Sequence, residues 1–245
     1  MISALLALAL AQASYFTPAE AQAVFAKAND AYYQGDFEGA KAGYLKLIER
    51  DMGGADVLFN LGTAYLAAGD LGNAVVNLER SRRISRDDDV EANLSFARKQ
   101  MVDQVVGAGS DEPFLERLVR ATDERELAIL FLVSWWVGFA LWFAMRWFSR
   151  GKLLVAAASL SFLVTGLVLG GAVAGHAWVE RNVVEAVVLP ATAQVREFPG
   201  ETSRVAFEIH SGLKVRLMEE SGKYARVRLP NGLEGWTERE GVTAL

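Results

Sequence analysis

Two histidines, His176 and His210, and no cysteine are what this chain of 245 residues offers for nucleophilic or metal chemistry. Without thiols there are no disulfides, thiolate zinc sites, iron–sulfur clusters or cysteine nucleophiles. His176 lies near the end of a long apolar run, and His210, before Ser211-Gly212, reads as an exposed turn residue. Neither has an obvious companion for a triad. No G-x-S-x-G, H-E-x-x-H or phosphate-cradling glycine loop occurs. Carboxylates are plentiful, yet no pair is singled out as acid and base. The run Asp87-Asp88-Asp89 reads as a helix cap with a favourable dipole, not as a metal site. The chain is therefore expected not to be an enzyme and to need no cofactor or metal. Its net charge of −5 argues against nucleic acid as a partner, which would demand a basic face.

The elements that position the remaining side chains start with the membrane. Leu127 to Met145 is 19 residues without a formal charge, and Leu153 to Val179 is 27. A spanning helix needs about 20 apolar residues, so spans are expected at 127–147 and 153–179. The turn at 148–152, with Arg146 at its entrance and Arg150 and Lys152 within it, is placed in the cytoplasm by the positive-inside rule. Residues 1–13 form a short apolar run ending in Ala11-Gln12-Ala13, which fits a cleavable leader although it has no basic residue at its start. Both cues put the two flanking parts outside the cytoplasmic membrane. Gly166-x-x-x-Gly170 and Gly171-x-x-x-Gly175, facing Ser134-x-x-x-Gly138 and Ala140-x-x-x-Ala144, suit close packing within the hairpin.

Residues 18–105 carry a repeat. Ala28-x-x-x-Tyr32-x-x-Gly35-Asp36-Phe37-x-x-Ala40-x-x-x-Tyr44 recurs as Gly62-x-x-Tyr65-x-x-x-Gly69-Asp70-Leu71-x-x-Ala74-x-x-x-Leu78. Gly35 to Gly69 and Ala40 to Ala74 are both 34 residues, the tetratricopeptide period. Glycine permits the turn, aspartate caps the next helix, and small residues at Ala40, Gly62 and Ala74 allow close helix crossing. A third, polar helix of about Asp89 to Val105 suits a cap on the array. Then comes a linker at 106–126 with a short amphipathic helix bearing Phe114, Leu115, Leu118 and Val119. The resemblance to tetratricopeptide repeats implies a concave recognition face made of Gln22, Phe25, Asn29, Tyr32 and Tyr33, then Asp56, Phe59, Thr63 and Leu66. In some such proteins the face clamps a peptide carboxylate. Here Asn29 and Asn60 fit that role, but Val90 and Leu94 stand where cations are expected, so an aromatic-lined groove is the better expectation.

Residues 183–245 change period. Val183 to Val188 is rich in β-branched residues, and Lys214 to Met218 and Tyr224 to Leu229 alternate as half-buried strands do. Ala193-x-Val195-Arg196 with Pro199, Gly212-x-x-Val215, Tyr224-Ala225-x-Val227 and Gly232-x-x-Gly235-Trp236 resemble a bacterial SH3-like domain. That resemblance implies an aromatic ligand surface, with Tyr224 and Trp236 its foremost residues and Phe198 and Phe207 beside them.

The fold class expected is a multidomain α+β membrane protein of α-helical tetratricopeptide repeats, a transmembrane hairpin and a C-terminal SH3-like β-barrel. This order of parts resembles BatE-type proteins of the bacterial aerotolerance operon. The resemblance implies a membrane-anchored scaffold whose partners are other membrane proteins, of the von Willebrand factor A type and associated with a MoxR-type ATPase. The alternative is a cell-wall sensor whose barrel binds peptidoglycan. On either reading the lipid bilayer is a partner, and two modules on one anchor gain from effective concentration.

Overall fold

The computed structural model of the chain describes residues 16–103, 119, 121–147 and 151–245. The expected leader at 1–13, most of the expected linker at 106–126 with Phe114, Leu115 and Leu118 of its amphipathic helix, and Arg150 lie outside the described residues. The chain divides into two compact units. One is discontinuous, with described residues 16–103 and 185–245; the other lies within Gly107–Val184.

The discontinuous unit opens with five helices: α1 (Pro18–Tyr33), α2 (Phe37–Ile48), α3 (Ala55–Ala67), α4 (Leu71–Ile84) and α5 (Asp88–Gln100). Two turns 34 residues apart are built alike. Gly35 and Gly69 take φ of +81° and +80°, where a side chain would be strained. The next residues, Asp36 and Asp70, then accept hydrogen bonds from the backbone N–H of Gly39 (2.9 Å) and Asn73 (3.1 Å). Ala40 and Ala74 are fully buried where α2 and α4 meet their partners. A Cβ on Gly62 would lie 2.7 Å from Leu78 Cγ and 3.1 Å from the Ala74 carbonyl, so α3 and α4 cross too closely for any larger residue. In α5, capped by Asp87, Val90 and Leu94 are buried in the core. That burial is the physical reason these positions are apolar.

The second stretch of this unit is a sheet of seven strands: β1 (Val184–Val188), β2 (Thr192–Arg196), β3 (Val205–His210), β4 (Lys214–Ser221), β5 (Tyr224–Arg228), β6 (Glu234–Glu238) and β7 (Val242–Ala244). The strand order is β3-β2-β6-β5-β4-β1-β7. The pairs β1–β7, β2–β3, β2–β6, β4–β5 and β5–β6 are antiparallel. Ile209 near one edge and Val242 at the other belong to the same buried cluster, so the sheet curls around its own core. Register shifts at Val195/Arg196 and Leu217/Glu219 supply the bending.

Helices and sheet share a second core. Ala186 and Val188 on β1 point into the sheet's cluster, whereas Val187 between them is buried with Val75, Val76, Val90 and Leu94 of α4 and α5. Leu189 and Leu245 pack against that helical cluster as well. The helical stretch expected at 18–105 and the sheet expected at 183–245 thus pack as one compact unit, because β1 is apolar on both faces.

The other unit holds α6 (Glu124–Ala144) and α7 (Lys152–Asn182), both long and apolar enough to cross a membrane. At 1.5 Å per residue, 21 residues span about 31 Å. α6 starts before the expected span, in Glu124-Arg125-Glu126 capped by Asp123, and ends short of it at Ala144, whereas α7 runs past the expected 153–179 at both ends. Small residues mediate their contact. Cβ atoms on Gly138, Gly166 and Gly170 would meet Leu163, Trp135 and Phe131 within 2.8–3.0 Å, while Gly171 has nothing within 4 Å. The hydroxyls of Ser134 and Ser159 donate across the pair to the carbonyls of Phe162 (2.7 Å) and Gly138 (2.8 Å). Thr122 Oγ1 and His176 Nε2 lie 2.9 Å apart.

Candidate functional site

The first helices of successive pairs, α1, α3 and α5, are tied side by side by polar side chains. Asn29 Oδ1 accepts from the Tyr44 hydroxyl (2.6 Å) and from Asn60 Nδ2 (3.1 Å). The Thr63 hydroxyl donates to the Phe59 carbonyl (2.9 Å) and accepts from Asn93 Nδ2 (2.9 Å). Tyr44 is buried and its phenol is pushed up to about 12, first by desolvation and then by the neighbouring Tyr33 and Tyr32. It stays a neutral donor to Asn29 at any ordinary pH. Asn29 and Thr63 thus serve the helix array itself.

The expected face divides in this light. Phe25 and Tyr32 are half-buried against the α1–α3 core, and Phe59 and Leu66 against the core that α4 and α5 share with β1. Tyr33 is 84% exposed, its ring edge-on to Tyr32. Gln22 and Phe25 line an open cleft of about 330 Å³ with Leu47, Met52, Asp56 and Val57. Its volume is at the low end for ligand pockets, enough for one or two large side chains. Phe59 is a poor reporter of docking, since its loss would also open the core.

On the sheet, Trp236 sits between buried Gly235 and Thr237, so it belongs to the outer face. Pairing sets Arg196 of β2 and Arg226 of β5 at its sides. Gly235 is obligatory, as a Cβ there would lie 2.4 Å from Val195 Cγ1. Tyr224, expected on the ligand surface, is 6% exposed, and its buried hydroxyl has no hydrogen-bond partner among the described residues. By strand alternation it lies on the face of Arg226 and Trp236, opposite the core residues Ala225 and Val227, and is covered there. Phe198 is exposed at 69%, and Phe207 packs on the sheet core.

The sequence reading missed the seam between helices and sheet. Arg80 and Arg83 on α4 donate to the carbonyls of Ala244 (2.8 Å) and Leu245 (3.1 Å). Glu79, 1% exposed, meets Arg82 at 2.5 Å, Lys214 at 3.4 Å and Arg98 at 3.8 Å. Glu185 meets Arg83 at 3.0 Å and Lys214 at 3.2 Å. His210 is not a free turn residue. Its backbone N–H donates to Asp103 Oδ2 (2.6 Å) and its Nδ1 lies 2.9 Å from Oδ1. Among the described residues, no group of three or more metal-ligating side chains is gathered.

Compared with known proteins, the chain matches no family model and no curated protein.

Proposed function

We propose that the chain is a membrane-anchored docking protein. Its helical pairs are tetratricopeptide repeats, its sheet an SH3-like barrel, and its α6–α7 hairpin the anchor, in the manner of a BatE-type envelope scaffold. The observation that carries this reading is an asymmetry of the helical array. One side, along α4, is sealed by the sheet, whereas the cleft between α1 and α3 stays open with Gln22, Phe25 and Asp56 on it. A photo-reactive residue at Gln22 in intact cells is expected to yield one dominant membrane-protein adduct, and the same residue at exposed Lys99 on α5 none. A von Willebrand factor A-type protein in that adduct would name the complex. Equal, diffuse adducts at both positions would refute docking at the cleft.

Orientation follows from the same unit. Residues 16–103 and 185–245 pack together, which favours both on one side of the membrane with an even number of spans between them. The cations at Arg146, Arg150 and Lys152 favour the opposite side for the hairpin turn. With no native cysteine, single-cysteine variants report cleanly. In right-side-out vesicles an impermeant maleimide should label Tyr33→Cys and Lys223→Cys but not Lys152→Cys. Labelling of only one of the first two would break the single-side arrangement.

A second reading, a peptidoglycan sensor, is favoured by one feature, the Trp236 side chain flanked by Arg196 and Arg226 on the sheet's outer face.

A further inference from the structure

The open cleft between α1 and α3 has walls that carry chemical information. Phe25, Leu47, Met52 and Val57 give it an apolar floor. Phe25 is held in place by its tilted contact with the Tyr44 ring, 6.0 Å between centroids. Met52, unbranched and polarisable, adapts to differently shaped apolar groups. Among the described residues, one charged side chain, the exposed Asp56, lines the cleft, and no lysine or arginine does. Lys46 and Arg50, each 5.3 Å from the Phe16 ring centre, lie outside the lining.

The first turn of α3 also opens here. Its N-cap, Gly54, provides no side-chain cap. The helix terminus contributes roughly half a positive charge, and the Asp56 carboxylate in that turn a full negative one. The balance at the rim is therefore negative, and a free carboxylate on a ligand would be repelled.

We infer that the cleft takes a bulky apolar side chain from a protein segment that carries a lysine or arginine beside it, the apolar group entering between Phe25 and Met52 and the cation pairing with Asp56. This rests on the docking reading above and gives its partner a chemistry. It also sets the cleft apart from a carboxylate clamp, because the charge it offers has the opposite sign.

The test uses the full chain in nanodiscs and a library of hexapeptides with both ends capped, so that no terminal charge competes. Selection should enrich Leu, Phe or Met adjacent to Lys or Arg. For the best peptide, Asp56→Asn should weaken binding about tenfold, in line with loss of a charge-assisted contact. Gln22→Trp, which fills the cleft from an exposed position, should abolish binding of every selected peptide. Enrichment of apolar peptides with no basic preference, or affinity indifferent to Asp56→Asn, would overturn this inference and leave docking standing. Enrichment of acidic peptides would overturn it as well. If no peptide is enriched and Gln22 gives no specific adduct in cells, both readings fall.

Discussion

A Glu79→Ala protein should lose about 3 kcal/mol of folding stability, the scale on which breaking one partner of a buried ion pair is felt. Glu79 is 1% exposed on α4 and is the carboxylate around which Arg82, Lys214 and Arg98 gather. Its Oε2 takes the short contact with Arg82; its Oε1 accepts no hydrogen bond and is balanced by the two more distant cations. Arg98 is half exposed and can turn to water, so little of the cost falls on it. Lys214 and Arg82 are more enclosed, and would keep only Glu185 and Glu91, respectively, as carboxylate partners. Glu79→Gln keeps the volume and should cost roughly half as much. Because Lys214 belongs to β4 and Glu79 to α4, the loss should appear at the seam. Amide exchange across 185–245 should accelerate together with that of α4, while α1 and α2 stay protected. Uniform acceleration would mean that Glu79 supports the helices alone.

The parts of this architecture that local chemistry dictates could be read from sequence. Gly35-Asp36 and Gly69-Asp70 announce two equal turns, since left-handed φ and an aspartate cap are local requirements met by neighbouring residues. The two helices long and apolar enough to cross a membrane are legible for the same reason, because about twenty apolar residues in succession need no partner to be recognised. Their close contact through Gly138, Gly166 and Gly170 was legible as spacing, though which glycine pair is used was not: Gly171 has the same spacing and touches nothing.

What was not legible depends on residues far apart in the chain. The run Ala186-Val187-Val188 has no alternation, the mark of a strand covered on both faces, but nothing in it says that the cover is α4. Asp103 and His210 are separated by the whole hairpin, and neither looks unusual alone. The recognition face was drawn from helical position only. Gln22, Phe25 and Asp56 line one cleft, yet helical position alone cannot tell them from Phe59 and Leu66, which the sheet's arrival at α4 draws into a shared core.

Gly72 offers the sharpest separation of those two halves. A Cβ there would lie 2.8 Å from both Leu189 Cα and the Leu189 carbonyl and 2.9 Å from Ser211 Oγ. Two of these are backbone atoms, which cannot step aside as a flexible side chain would, so Gly72→Ile should push the sheet off α4. Overpacking of this kind costs about 1–3 kcal/mol even where relaxation is possible. Here relaxation also uncovers Val187, Leu189 and Leu245, so the expected cost is at the upper end or beyond. Denaturation followed by amide exchange should change from one transition to two, with 185–245 exposed first; a single unshifted transition would show that Gly72 is not the point of closest approach. The effect on docking has a definite sign. The cleft is walled by Phe25, Leu47 and Val57, and its supporting core is Ala28, Tyr44 and Leu61, a cluster distinct from the one that holds Val187. Cross-linking from Gln22 should therefore survive Gly72→Ile while the sheet swings free. If the adduct is lost instead, the sheet holds the α1–α3 cleft in shape from the far side of α4, and the repeats do not recognise their partner without it.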